Sequence, residues 1–112
     1  MKSKSFEIIP ILPFQKQAKK LLKKFPSLKN ELLSLLERLK IEPIQGTALG
    51  NNCYKIRLAI ASKNKGKSGG ARLITCVYLT DEEVYLLSIY DKSDRSTLSD
   101  KEIKELLTFV DR

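Results

Sequence analysis

Between Tyr54 and Lys92 the chain alternates apolar and polar residues instead of turning with a helical period, and no other stretch limits the fold as much. Tyr54, Ile56, Leu58 and Ile60 interleave with Lys55, Arg57, Ala59 and Ala61. A strand there sets Lys55 and Arg57 side by side on the face opposite the apolar set. A glycine- and lysine-rich loop follows, Lys63-Asn64-Lys65-Gly66-Lys67-Ser68-Gly69-Gly70. Ala71 to Leu79 reads as a second strand, with Leu73, Thr75, Val77 and Leu79 on one face and Arg72, Ile74, Cys76 and Tyr78 on the other. Thr80-Asp81-Glu82-Glu83 suits a tight turn, and Val84 to Asp91 is a third strand, apolar on both faces and therefore expected inside the sheet.

The rest of the chain supplies what such a sheet must pack against. Phe6 to Leu12 is β-branched enough for a strand, and Pro10, which cannot donate to a ladder, points to an edge. Phe14, Ala18, Leu21, Leu22 and Phe25 recur at helical spacing, Pro26 breaks the period, and Ser27 is placed to cap a second helix carrying Leu28, Leu32, Leu35, Leu36 and Leu39. Glu42-Pro43 and Gly46 end that helix, and Thr47 to Asn52 reads as a polar loop. Ser99-Asp100-Lys101-Glu102 has the form of a capping box ahead of Ile103, Leu106, Leu107 and Val110. The expectation is an α+β fold in the order strand, helix, helix, three strands, helix: an antiparallel sheet with an N-terminal helical hairpin and a C-terminal helix.

At 112 residues the chain fits a single domain spanning 1–112, large enough to bury roughly two-thirds of its unfolded surface. Its formal charge of +8 points to a polyanionic partner. From Cys53 to Arg72 there are six basic residues and no acidic one, so much of that charge is held on strand ends and one short loop. No apolar run is long enough to span a bilayer, and Met1-Lys2-Ser3-Lys4 leads into no signal-peptide pattern, so a cytosolic protein is expected, without a membrane partner. The chain has no histidine, which removes the usual general base and metal ligand. Cys53 and Cys76 are too few for a zinc cluster and read as small core residues. No metal and no cofactor is expected.

Gly66-Lys67-Ser68 invites a phosphate-loop reading, but that motif needs a glycine where Ala61 stands and a helix where Ala71 onward reads as strand. The loop lysines Lys63, Lys65 and Lys67 are better read as facing solvent or a phosphate backbone. Lys16, Lys19, Lys20, Lys23 and Lys24 crowd the outer face of the first helix, where like charges repel by a few tenths of a kcal/mol per pair. Such a face is either solvated or matched by RNA or an acidic partner. Arg57 and Arg72 each present a planar fork suited to phosphate oxygens, or else form exposed strand salt bridges.

From Phe14 to Leu107 the sequence resembles the RelE/ParE superfamily of bacterial toxin-antitoxin toxins, particularly its HigB-like branch. The resemblance rests on Lys23-Lys24-Phe25-Pro26-Ser27-Leu28, Pro43 with Gly46, Tyr54 to Ala59, Gly66 to Ile74, and Tyr85 to Lys92, in that order. It implies a ribosome-dependent endoribonuclease that cuts mRNA in the ribosomal A site and is held inactive by an antitoxin protein. It further implies attack by the ribose 2′-OH on the adjacent phosphate, without metal and with RNA as the obligatory substrate.

By position, the resemblance makes Arg72 the residue that stabilises the phosphorane, with Arg57 and Lys55 as basic neighbours. Lys65 and Lys67 match RNA-contacting loop lysines, either one a possible base, and Lys92 matches a position that protonates the leaving oxygen. Some relatives carry a tyrosine or histidine where this chain has Ser96-Thr97-Leu98-Ser99, which leaves Tyr90 as the nearest aromatic that could meet RNA. The ParE-like branch shares the fold and poisons DNA gyrase, so the alternatives are a gyrase inhibitor or a non-catalytic RNA- or ribosome-binding module.

Overall fold

Pro13 in the first turn and Pro26 just past the last bracket the first helix, and the leucine period that follows forms the second. The computed structural model describes residues 5–63 and 66–110. In it β1 (Glu7–Pro10) leads directly into α1 (Leu12–Lys24), and a three-residue connection joins α1 to α2 (Leu28–Ile41). α1 buries Phe14 and Ala18; α2 buries Leu28, Leu32, Leu35 and Leu39. Ser27 does not cap α2 with its side chain: it already has helical backbone angles, and Leu28 N donates instead to Phe25 O at 3.0 Å.

Five strands form one sheet in the order β1-β5-β4-β3-β2. The meander expected from the alternation is present as β3 (Cys53–Leu58), β4 (Ala71–Tyr78) and β5 (Glu83–Asp91), all antiparallel. Two features depart from expectation. The segment read as a polar loop contains a fifth strand, β2 (Thr47–Gly50), paired antiparallel to β3 through a turn at Asn51 and Asn52, both with positive φ. The sheet is also mixed, because β1 pairs parallel with β5. β1 is an edge strand, where Pro10 loses nothing by lacking an N–H.

β5 is interior as predicted, but its alternation slips. Ile74 pairs with Ser88 and Thr75 with Leu86, so Leu87 is an extra residue that shifts the strand's phase. Past the end of β1, Gln17 of α1 takes over at the β5 edge: its Oε1 accepts from Ser88 Oγ at 2.8 Å and from Ile89 N at 3.0 Å. One apolar core joins α1 and α2 to the sheet. Cys53 and Cys76 face each other across β3 and β4, buried and not joined in a disulfide, and the hydrogen bond to Cys76, with burial, pushes the Cys53 thiol up, as suits inert core residues.

α3 (Asp100–Leu107) begins with the predicted capping box: Ser99 Oγ accepts from Glu102 N at 3.1 Å while Glu102 Oε1 accepts from Ser99 N at 2.9 Å. α3 touches β5 and buries Ile103. No helix among the described residues is long and apolar enough to cross a membrane.

Candidate active site

Arg57 and Arg72 are direct partners across β3 and β4, and Tyr90 is the partner of Arg72 across β4 and β5. Three strands therefore place two guanidinium groups and a phenol in one row on one face. Val77 N bonds to Asn52 O, and counting along the ladder from that pair puts Arg57 and Arg72 at a non-hydrogen-bonded position. At such positions opposed Cα atoms lie about 4.5 Å apart and side chains come closest. Lys55 stands two residues before Arg57 on the same face, opposite Thr47 of β2.

Around this row is a cleft of about 500 Å³. Gly46 and Thr47 form one wall, Lys55, Arg57 and Arg72 the sheet side, and Lys92 and Ser96 the segment leaving β5. Four of these seven residues are cationic and none is acidic. Gly46 is required where it stands. Its φ is +82°, and a Cβ there would lie 2.1 Å from Lys55 O.

The two arginines differ in setting. Arg57 is exposed, whereas Arg72 is only 4 % exposed and its Nη1 donates to Ala71 O at 3.0 Å. Burial lowers the Arg72 pKa, the charge of Arg57 lowers it further, and Tyr90 opposes both. The guanidinium remains a cation, held dry beside a like charge, and an anion between the two would relieve the repulsion. Burial pushes the Tyr90 phenol up, while Arg95 and Arg72 pull it down. A raised phenol is a proton donor at neutral pH and not a base. The Tyr90 hydroxyl lies 3.4 Å from Ser96 O, and Arg95 sits over the ring, 5.8 Å from its centroid.

The sequence-predicted residues divide into four sets, of which Lys63 alone is the last. Lys55, Arg57, Arg72 and Lys92 converge on the cleft, with Tyr90 next in the row. Lys19, Lys20 and Lys23 are exposed on α1 and do not line it; Lys20 lines a separate groove of about 260 Å³ with Tyr90, Asp91 and Asp94. Lys65 lies outside the described residues. Lys67 lies in the 3-10 turn Gly66–Gly69, and its side chain is likewise outside the description.

Lys63 departs from the expectation of a free, phosphate-facing lysine. Its ammonium is bound by the Asp91 carboxylate and donates to Ser93 Oγ at 3.0 Å. Asp91 itself was not singled out in the sequence, because its partner is 28 residues away. Burial pushes the Asp91 carboxyl up, but the bonds from Lys63 and from Ser93 outweigh it and leave it below the ordinary value.

Comparison with known proteins gives this cleft a context. The family described as the RelE toxin of the RelE/RelB toxin-antitoxin system matches residues 13–111. Among solved structures, a double arginine-to-alanine mutant of the E. coli toxin RelE in the free state superposes with a TM-score of 0.59 at 18 % identity, covering 93 % of this chain and 96 % of that one. The isolated E. coli RelE toxin superposes with a TM-score of 0.51 at 21 % identity, covering 95 % and 100 %. At these identities the likeness is one of fold.

Proposed function

The chain belongs to the RelE toxin family of toxin-antitoxin systems, and from that premise we propose that it is a ribosome-dependent mRNA endoribonuclease whose active site is the Arg57–Arg72 cleft. The observation that carries this reading is the direct pairing of Arg57 with Arg72 in a cleft whose four charged side chains are all cationic. Two permanently charged forks at that spacing suit a phosphorus centre that gains negative charge as it becomes pentavalent.

In this account the ribose 2′-oxygen attacks the adjacent phosphorus and gives up its proton to a base. The P–O5′ bond breaks, leaving a 2′,3′-cyclic phosphate on one fragment and a 5′-hydroxyl on the other once the leaving oxygen takes a proton. Arg72, buried and fixed, stabilises the phosphorane; Arg57 and Lys55, nearer solvent, bind flanking phosphates. Lys92, on the cleft wall, is the acid for the 5′-oxygen. The base is Lys67 or Lys65 of the loop between β3 and β4, acting as the free amine. The exposed lysines Lys19, Lys20 and Lys23 extend the cationic surface along α1 toward the ribosome and its RNA. An antitoxin protein is the partner that silences the site, acting on the toxin in the cytoplasm.

The test is primer extension on a defined message in a purified translation system, with and without ribosomes, beside a gyrase supercoiling assay. New 5′ ends within A-site codons, dependent on ribosomes, support the reading. Intact message with supercoiling blocked assigns the protein to gyrase inhibition, and intact message with unimpaired gyrase leaves a binding module.

A further inference from the structure

We propose that Asp91 is a positioning residue for the basic turn that carries Lys67, acting through Lys63; this role rests on the ribonuclease reading above. Asp91 closes β5 with its side chain 2 % exposed. Its Oδ1 takes the Lys63 ammonium and accepts from Ser93 Oγ at 2.8 Å and Ser93 N at 2.9 Å. The same ammonium lies 5.4 Å from the centroid of the Phe25 ring, at the end of α1. Lys63 is thus held between a buried carboxylate, a hydroxyl and an aromatic face.

Lys63 ends the 3-10 turn Ala61–Lys63, which packs against the second turn, Gly66–Gly69, where Lys67 lies. The chain then joins β4 at Ala71, whose register partner is Asp91, and Lys92 N donates to Gly70 O at 3.0 Å. Asp91 therefore holds the first turn of the segment between β3 and β4 by its side chain, and its neighbour Lys92 ties the end of that segment by a backbone bond. Lys67 is three residues from Gly70, within about 11 Å along even a fully extended chain. Fixing the first turn fixes what the second packs on, and with it the backbone position of Lys67.

The sign of the charge separates this role from a bland one. A carboxylate beside a surface for polyanions weakens their binding, so removing its charge alone should tighten the grip on RNA. A positioning role predicts the opposite for the chemistry. In Asp91→Asn, kcat for cleavage on saturating programmed ribosomes falls about 10- to 100-fold, KM does not rise, and deuterium exchange at residues 61–63 and 66–70 quickens. Lys63→Met does the same from the other partner, the double variant loses no more than either single one, and Lys63→Arg keeps most of the activity. Should Asp91→Asn fail to fold, the two Lys63 variants carry the test. An active wild type with unchanged kcat in Asp91→Asn or in Lys63→Met overturns the role alone, as does a double variant whose losses multiply. A wild type that leaves message intact overturns the ribonuclease reading and this role with it.

Discussion

Arg57 stands directly opposite Arg72 on neighbouring strands, so the fold holds two like charges at the position where cross-strand side chains approach most closely. Like charges placed so destabilise a sheet by roughly 0.2–1 kcal/mol. Arg57→Thr is therefore expected to raise stability in urea unfolding at low salt, the gain shrinking as salt is added, while message cleavage falls at least about tenfold. A variant that is both less stable and fully active would contradict the pairing as the source of function.

Thr75 makes a second prediction, confined to stability. It is fully buried between Tyr54 and Leu86 in register, and among the described residues its hydroxyl has no hydrogen-bond partner. Thr75→Val removes that hydroxyl at nearly constant shape and should stabilise the protein by about 1–2 kcal/mol without changing cleavage. Measured loss of stability would mean that the hydroxyl is satisfied in solution.

Gln17 is the reverse case, a polar side chain whose removal leaves buried groups without partners. Its amide oxygen serves both Ser88 Oγ and Ile89 N where β1 no longer covers β5. Gln17→Ala should cost about 1–3 kcal/mol in urea unfolding, and hydrogen exchange at Ile89 should quicken in step. Unchanged protection at Ile89 would count against this account of the β5 edge.

Acid provides a fourth. Arg95 holds Glu102 through both terminal nitrogens, at 2.7 and 2.6 Å, and Ser99 N adds a bond at 2.9 Å. The Arg95 bond first, then the backbone bond at Ser99, lower the Glu102 carboxyl from 4.5 to about 2. A carboxyl depressed in the fold favours folding above its unfolded value, and that contribution disappears as pH falls through the folded one. The Tm of the wild type should therefore fall more steeply than that of Glu102→Gln between pH 4.5 and about 2. Parallel Tm curves for the two proteins would show that the pair adds nothing in solution.

How much of this was legible in the sequence depends on the range of the interactions. Leu28, Leu32, Leu35 and Leu39 are buried as their spacing required, and both bonds of the Ser99–Glu102 box form, because those signals are complete within a few residues. Lys55 and Arg57 share a face with Arg72 because strand alternation is local too. The parallel pairing of β1 with β5 joins residues about 76 apart in sequence, such as Glu7 and Glu83, and no local pattern encodes it.

β2 spans only four residues, Thr47-Ala48-Leu49-Gly50, too short for an alternating pattern to register, although Asn51-Asn52 was a usable signal. Two adjacent asparagines that tolerate positive φ can make a hairpin turn as readily as a loop. β5 is buried on both faces, as its composition indicated, and the bulge at Leu87 only shifts its phase midway. In the site, Lys55, Arg57 and Arg72 were identifiable from strand position, and Lys92 from the family resemblance. The capture of Lys63 by Asp91 and the wall that β2 builds beside Lys55 were not, since both depend on the folded chain.

The most direct measurement is the cleavage rate on programmed ribosomes for the wild type and Arg72→Ala, each on an ordinary message and on one carrying a single 2′-deoxynucleotide at the cut site. Loss of one transition-state donor of this kind costs about 10²–10³ in rate. The account predicts that loss in the variant with thermal unfolding little changed, and no cut by either protein where the 2′-hydroxyl is missing. A full rate in Arg72→Ala, or cleavage of the deoxy-substituted message, would contradict it.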